Sequence, residues 1–281
     1  MQINNIRTTA LYWLCEPNAN AKTVGVIAFS AQNLSTCYAD HIQLESQCIE
    51  NRLSKIEALD LILKTEIPGR PLRPILVPPL ALPKRSMRTV EGRAALIHAL
   101  AHIEFNAINL SLDAIWRFEN MPDNYYIDWL KVAGEEATHF SLLNAHLNTL
   151  GFAYGDFAGH DSLWEMVDRT KDCVLARMAL VPRTMEARGL DALPALRAKL
   201  AQAGDLKAAQ ILDITLKDEI GHVAIGNYWF NWLCLKRGLV PIDTYYLLAQ
   251  QYDAPKPRAP FNLEARRKAG FSEAELVLLY N

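Results

Sequence analysis

The sequence predicts an all-α chain organised around a four-helix bundle, and three observations carry that prediction. Four long segments between residues 90 and 238 repeat apolar residues at helical spacing. No stretch alternates polar and apolar residues strongly enough to mark a strand. Two motifs, Asp218-Glu219-Ile220-Gly221-His222 and Glu135-Glu136-Ala137-Thr138-His139, set a glutamate and a histidine three residues apart, so that on a helix both project from one face.

The elements read in order as an extension over 1–89, the bundle over 90–238 and a second extension over 239–281. Residues 7–16 have loose helical spacing and stop at Pro17; residues 19–64 suggest one or two more helices, with Ile42, Leu44, Ile49, Leu53, Ile56, Leu59 and Leu63 among the apolar positions. Residues 65–90 change character. Pro68, Pro71, Pro74, Pro78, Pro79 and Pro83 exclude a regular helix and require an extended strap, and the insertions Ile75, Leu76, Val77, Leu80 and Leu82 are expected to lie along a groove. Lys84, Arg85, Arg88 and Arg93 form a basic cluster whose plain reading is a solvated face or pairing with nearby acids; an entrance for an anionic substrate is the sharper alternative.

The first bundle helix spans 90–118, with Glu104 among Ile103, Phe105 and Ala107, where a carboxylate is costly unless something pairs with it. His98 and His102 share a face, but His102 lies about 200° around the helix from Glu104, so these histidines take a structural or supporting role. The second helix, 125–150, is ended by Gly151. After a crossover at 151–160, Asp161 or Ser162 with Glu165 offers a cap for a third helix running to about 188 and stopping at Gly189, kinked by Pro182 four residues before Glu186. A short helix over 191–204 starts near Pro194, and Asp205 caps the fourth long helix, closed by Gly238 and Pro241. A helix at 242–252, a second proline-rich strap at 253–260 and an amphipathic end at 272–280 complete the chain.

Composition narrows the function classes. Lys and Arg total 29 against 31 Asp and Glu, a formal charge of -2, which gives no footprint for nucleic acid or a membrane surface, although a sequestered nucleic-acid substrate stays open. Five scattered cysteines without a Cys-x-x-Cys pair indicate reduced thiols, not a disulfide framework or a thiolate metal site. No signal-like leader or long apolar run occurs, so a cytoplasmic protein is expected.

The functional signal is a doubling. Glu104 precedes Glu136 by 32 residues and Glu186 precedes Glu219 by 33, and each of the later glutamates is followed at plus three by a histidine, His139 or His222. One glutamate from each of two helices and one Glu-x-x-His from each of the other two is the ligand set of carboxylate-bridged di-iron and di-manganese bundles. Four carboxylates balance two divalent ions, and neutral imidazoles leave coordination positions open for O2 or peroxide. The expected cofactor is therefore two iron ions, with manganese suited to the same donors. Glu135 and Asp218, one residue before the expected bridging glutamates, are candidates to hydrogen-bond the ligand imidazoles, as is His102 from its own helix. Tyr125, Tyr126, Trp129, Trp164, Tyr228 and Trp229 could stack a substrate, but their plain reading is core.

The blocks Pro68-Gly69-Arg70-Pro71, Glu91-Gly92-Arg93, His98, His102-Ile103-Glu104, Asp128-Trp129, 136–140, Tyr154-Gly155-Asp156, Leu163-Trp164, 186–191, 218–226 and Pro260-Phe261-Asn262 resemble the DUF455 family of ferritin-like proteins, over roughly residues 7–275. That resemblance implies a ferritin-like four-helix bundle with helical extensions and supplies no substrate. The ligand set is also similar to that of the tRNA hydroxylase of the same superfamily, which acts on a hypermodified adenosine. The expected activity is a di-iron oxidoreductase that oxidises or hydroxylates a small molecule or modified nucleoside, with an electron-donor reductase and a homodimer as candidate partners. Metal handling or peroxide detoxification without an organic substrate is the alternative, and a scaffold that uses metal only for stability is a third.

Overall fold

The computed structural model describes residues 3–38 and 66–280. The apolar positions from Ile42 to Leu63 lie outside the described residues. The fold is all-α: the described elements are helical, apart from one isolated parallel bridge between Leu76 and Gly159. No described helix is long and apolar enough to cross a membrane. The chain divides into two compact units, one formed by residues 1–75, 98–145 and 152–158, the other by 76–97, 146–151 and 159–281.

In the first unit, α1 (Ile3–Cys15) and α2 (Ala19–Tyr38) accompany the greater parts of α3 (Val90–Arg117) and α4 (Asp123–Thr149). Within this unit α3 and α4 run antiparallel. The Tyr125 hydroxyl donates to the Ala114 carbonyl at 3.3 Å, and further along the Phe105 and Phe140 rings stand 5.6 Å apart. Tyr125, Tyr126 and Trp129 are buried, as the core reading expected. The first strap departs from expectation, because Leu72 and Leu80 are fully exposed and Ile75 is 64% exposed. Backbone fixes the strap instead: the Gly69 N–H donates to the Leu14 carbonyl at 2.9 Å and the Gly69 carbonyl accepts from Lys22 Nζ at 2.9 Å.

In the second unit, α5 (Ser162–Arg169), α6 (Val174–Leu180), a π-helical segment (Val181–Glu186) and α7 (Ala187–Gln202) replace the single kinked helix that the sequence suggested. The first interruption is a local hydrogen-bond competition. Thr170 Oγ1 donates back to the Met166 and Val167 carbonyls, and the buried Arg177 donates to both Thr170 Oγ1 and the Val167 carbonyl. At Pro182 the response is a π turn, in which Thr184 Oγ1 donates to the carbonyl of Ala179, five residues back. Helix α7 then continues through Gly189 and Pro194, where a stop and a fresh start were expected. Pro194 has no N–H for the Leu190 carbonyl, and Asn262 Nδ2 supplies that missing donor at 3.2 Å.

The long α8 (Leu206–Lys236) begins at the expected cap, where the Asp205 side chain accepts from the Ala208 N–H at 3.0 Å. It runs antiparallel to α7, with Pro182 against Gly226, Leu190 near Val223, and Arg197 bonded to Asp213 at 3.0 Å. Helices α9 (Pro241–Gln251), α10 (Leu263–Lys268) and α11 (Glu273–Leu278) complete this unit. Ser272 and Glu275 form a capping box at the start of α11. Trp229 is buried as expected, Trp164 is half-buried, and Tyr228 is 57% exposed.

Candidate metal centre

Helices α3 and α4 bring Glu104, Glu136 and His139 together inside the first unit, with one donor atom from each lying within 4.8 Å of the others. Antiparallel pairing puts Glu104 opposite the 136–139 turn, and the plus-three spacing stacks His139 over Glu136. His139 Nδ1 is 3.3 Å from Glu136 Oε2 and 3.7 Å from Glu104 Oε2. All three side chains are buried, with Phe105 and Phe140 adjacent in sequence to Glu104 and His139.

The electrostatics of this cluster suit a cation. Burial raises the Glu104 carboxyl well above the usual carboxylate range, and the Glu136 charge raises it further, while His139 pulls the other way. Burial alone would lower the His139 pKa, but its hydrogen bonds to the Glu104 and Glu136 carboxylates outweigh that and push it up to about 11. Two converging buried carboxylates with an imidazole nitrogen facing them are a donor set that a divalent ion neutralises. The cluster can hold a metal ion.

In the second unit, Glu219 and His222 on α8 repeat the same clip, with His222 Nδ1 3.2 Å from Glu219 Oε2, and both are buried. Glu186 is buried at the end of the π segment. Gly189, three residues on, approaches Glu219 so closely that an added Cβ would stand 3.2 Å from its Oε1. Gly189 was expected to stop a helix; instead it makes room for a carboxylate from α8. Gly189→Ala is therefore expected to weaken metal affinity about tenfold, within the range for disturbing the surroundings of a metal ligand. Competition titration with a chromophoric chelator measures this, and unchanged affinity would remove Gly189 from the site.

Of the residues expected to support the ligands, Glu135 is half-buried with Lys131 Nζ 3.8 Å away, and Asp218 is half-buried on α8. His102 bonds through Nδ1 to the Tyr154 hydroxyl at 2.8 Å and through Nε2 to Asn106 Nδ2 at 3.3 Å. His98 accepts from the Gly155 N–H at 2.9 Å and stacks on Tyr154. The two histidines thus hold the crossover onto α3. In the basic cluster, Arg85 bonds Glu91 at 3.2 Å and Arg93 approaches Asp205 at 4.0 Å, in line with pairing to nearby acids. Cys15, Cys173 and Cys234 are free thiols.

Burial lowers the His98 pKa to about 4, against an opposing pull from Asp156. Because the unfolded chain takes up this proton near pH 6.5 and the folded chain does not, stability falls as pH drops from about 6.5 toward 4, at up to roughly 1.4 kcal/mol per pH unit. His98→Gln, which keeps an acceptor for Gly155, is expected to flatten that part of the urea-midpoint profile. An unaltered slope would show that His98 is already charged in the folded protein.

Comparison with known proteins agrees with the resemblance seen in the sequence. Residues 30–277 match the model of a protein family of unknown function, DUF455. An uncharacterised protein of Haemophilus influenzae is 47% identical over 251 residues, covering 85% of this chain and 87% of that protein. No solved structure matches the chain. With nearly its whole length matched by the family model, the chain belongs to the DUF455 family.

Proposed function

We propose that the protein is a non-haem dinuclear metal oxidoreductase, with iron as the first candidate and manganese as the second, that uses O2 or peroxide to oxidise or hydroxylate a small organic substrate. The observation that carries this reading is the buried Glu104–Glu136–His139 cluster, whose residue types recur at nearly the same chain spacing as Glu186, Glu219 and His222. In this reading Glu104, Glu136 and His139 would hold one ion and Glu186, Glu219 and His222 another, and residues 90–238 would form a ferritin-like bundle flanked by the two extensions. A pair of redox-active ions held in this way supplies two-electron oxidation.

The chain's own groups prepare that chemistry. Burial of the donors excludes bulk water and strengthens every charge interaction among them. Burial and the Glu136 charge raise the Glu104 carboxyl, so an ion bound there would compete with a proton for it. His139 and His222 each present Nδ1 toward a glutamate of their own helix, so both imidazoles are aimed before an ion arrives. The π turn over Val181–Glu186 sets the direction of Glu186, and such turns occur often at functional sites. Glu135, Asp218 and His102 remain candidates for orienting the ligands. A reductase, a modified-nucleoside or other small substrate, and self-association into a dimer belong to the same proposal.

Anaerobic loading with Fe(II) followed by an O2 pulse tests the reading. Two ions per chain, with O2 consumption accelerated by a metabolite or tRNA fraction, is the expected result. Rapid turnover of peroxide alone would favour detoxification, and no reaction with O2 would leave a metal-stabilised scaffold. If Glu136→Ala and Glu219→Ala both kept two ions per chain, the ligand assignment would fall.

A further inference from the structure

Helix α8 buries Glu219 and His222 on one side and leaves a patterned stripe on the other. Ile214, Gly221, Tyr228 and Leu235 follow one another at intervals of seven, and Ile225 and Trp232 make a second row four residues after Gly221 and Tyr228. Two rows offset in this way are the seam positions of a coiled coil. The stripe is open to solvent: Ile214 is 45% exposed, Tyr228 57% and Leu235 82%, with Ile225 and Trp232 half-buried. Single exposed apolar side chains are ordinary, but a continuous seam along about 30 Å of helix marks an interaction surface.

The seam is complementary to itself. Laid antiparallel on a second copy, with a twofold axis between Gly226 and Asn227, it sets Ile225 against Tyr228 of the second copy and Trp232 against Gly221. An added Cβ at Gly221 would meet nothing within 4 Å, so the indole of one copy has a hollow waiting in the other. Charge matches at the edge. Asp218 comes level with Lys236 of the second copy on the same side of the seam, and symmetry repeats that pair. Lys236 Nζ lies 4.7 Å from the Trp232 ring centre, which keeps its charge beside the seam. A parallel pairing has none of this, because it sets Gly221 against Gly221, Trp232 against Trp232 and Asp218 against Asp218.

We infer that this face joins two copies of the chain, α8 against α8 and antiparallel. The inference gives the proposed self-association a surface and a register, and it rests on none of the metal chemistry. Glu219 and His222 are buried on the other side of the helix, so the seam and the ligands do not compete for one face. One helix pair is a small interface, so a reversible monomer–dimer equilibrium with a Kd on the order of 10 μM is expected.

Sedimentation velocity of the full chain as purified, over a concentration series that spans this Kd, measures the equilibrium. Leu235→Glu places an acid opposite Asp218 of the second copy and is expected to weaken the dimer at least about tenfold. Leu235 is mostly exposed within its own chain, so the circular dichroism spectrum and the urea midpoint of dilute protein should not change. Register is read from a second pair of variants. Ile225→Asp alone should weaken the dimer, and Ile225→Asp combined with Tyr228→Lys should regain most of the loss, because each new acid then faces a new lysine of the other copy. A monomer at every concentration, or Leu235→Glu that associates as well as the native chain, would overturn the inference. A double variant no tighter than Ile225→Asp would overturn the antiparallel register. Metal content is expected to be the same in Leu235→Glu as in the native chain, so this interface and the proposed oxidoreductase can fail separately.

Discussion

Glu104→Gln is expected to make the metal-free protein more stable and to remove most of its stabilisation by metal. The native glutamate is costly: Glu104 is buried, its carboxyl is raised well above the usual range by burial and by Glu136, and His139 relieves only part of that cost. Glutamine has the same shape and can still accept a hydrogen bond from His139, but brings no charge to desolvate. A gain of about 0.5–2 kcal/mol at neutral pH is expected, the range over which replacing a residue held at a cost for function stabilises a protein. Metal reverses the ranking. A ligand that binds only the folded state stabilises it by about 2.7 kcal/mol when present at a hundred times its Kd, which for a chain of this length corresponds to a Tm rise on the order of 5–10 °C. Without the Glu104 charge that rise should shrink to about 2 °C or less. Differential scanning calorimetry with and without Fe(II) or Mn(II) measures both quantities. A metal-free variant less stable than the native chain, or one with the full metal-induced rise, would show that Glu104 is not held at a cost for the sake of a cation.

The same trade explains which parts of the site could be read from the chain. The Glu-x-x-His clips were legible because a plus-three spacing on a helix fixes side-chain neighbours locally, and both clips close at nearly the same distance. Glu104 was legible because a lone carboxylate in an apolar run has few inexpensive explanations. The long helices came through almost to the residue: 90–118 against Val90–Arg117, and 125–150 against Asp123–Thr149. What failed depended on partners distant in sequence. Pro194 looks like a helix start until Asn262 supplies a donor to the Leu190 carbonyl, and Gly189 looks like a stop until Glu219 arrives beside it. Nothing in the sequence marks Lys22 or Arg183 as buried, because hydropathy cannot show that carbonyls, amides and aromatic faces from remote segments will enclose them. The exposed strap leucines are the converse case, since proline content fixes an extended backbone without fixing which side it presents.

Gly69→Ala is expected to be the most destabilising single-methyl change in the first unit, because two independent constraints meet there. A Cβ at this position would stand 2.0 Å from the Cys15 carbonyl oxygen and 2.4 Å from its carbon, and backbone atoms at a helix end cannot swing aside as a side-chain tip can. Moving the strap outward to relieve the overlap would stretch the Gly69 N–H bond to the Leu14 carbonyl. It would also withdraw the Gly69 carbonyl from Lys22 Nζ, a fully buried amine that otherwise has the Leu14 carbonyl and Asn109 Oδ1 for acceptors and the Phe105 ring 5.0 Å away. Burial already pushes the Lys22 pKa down to about 7, so loss of an acceptor leaves either a less solvated ammonium or an amine short of partners. Steric overlap and a lost buried hydrogen bond together place the expected loss at about 3–5 kcal/mol, at the extreme of ordinary single substitutions. Gly221→Ala provides the control: its Cβ would meet nothing within 4 Å, it lies inside α8, and removing backbone freedom there should stabilise by up to about 1 kcal/mol. Urea unfolding of the two variants distinguishes the explanations. If Gly69→Ala cost no more than about 1 kcal/mol, the strap would be able to leave α1 without disturbing Lys22, and this junction would not be part of what holds the unit together.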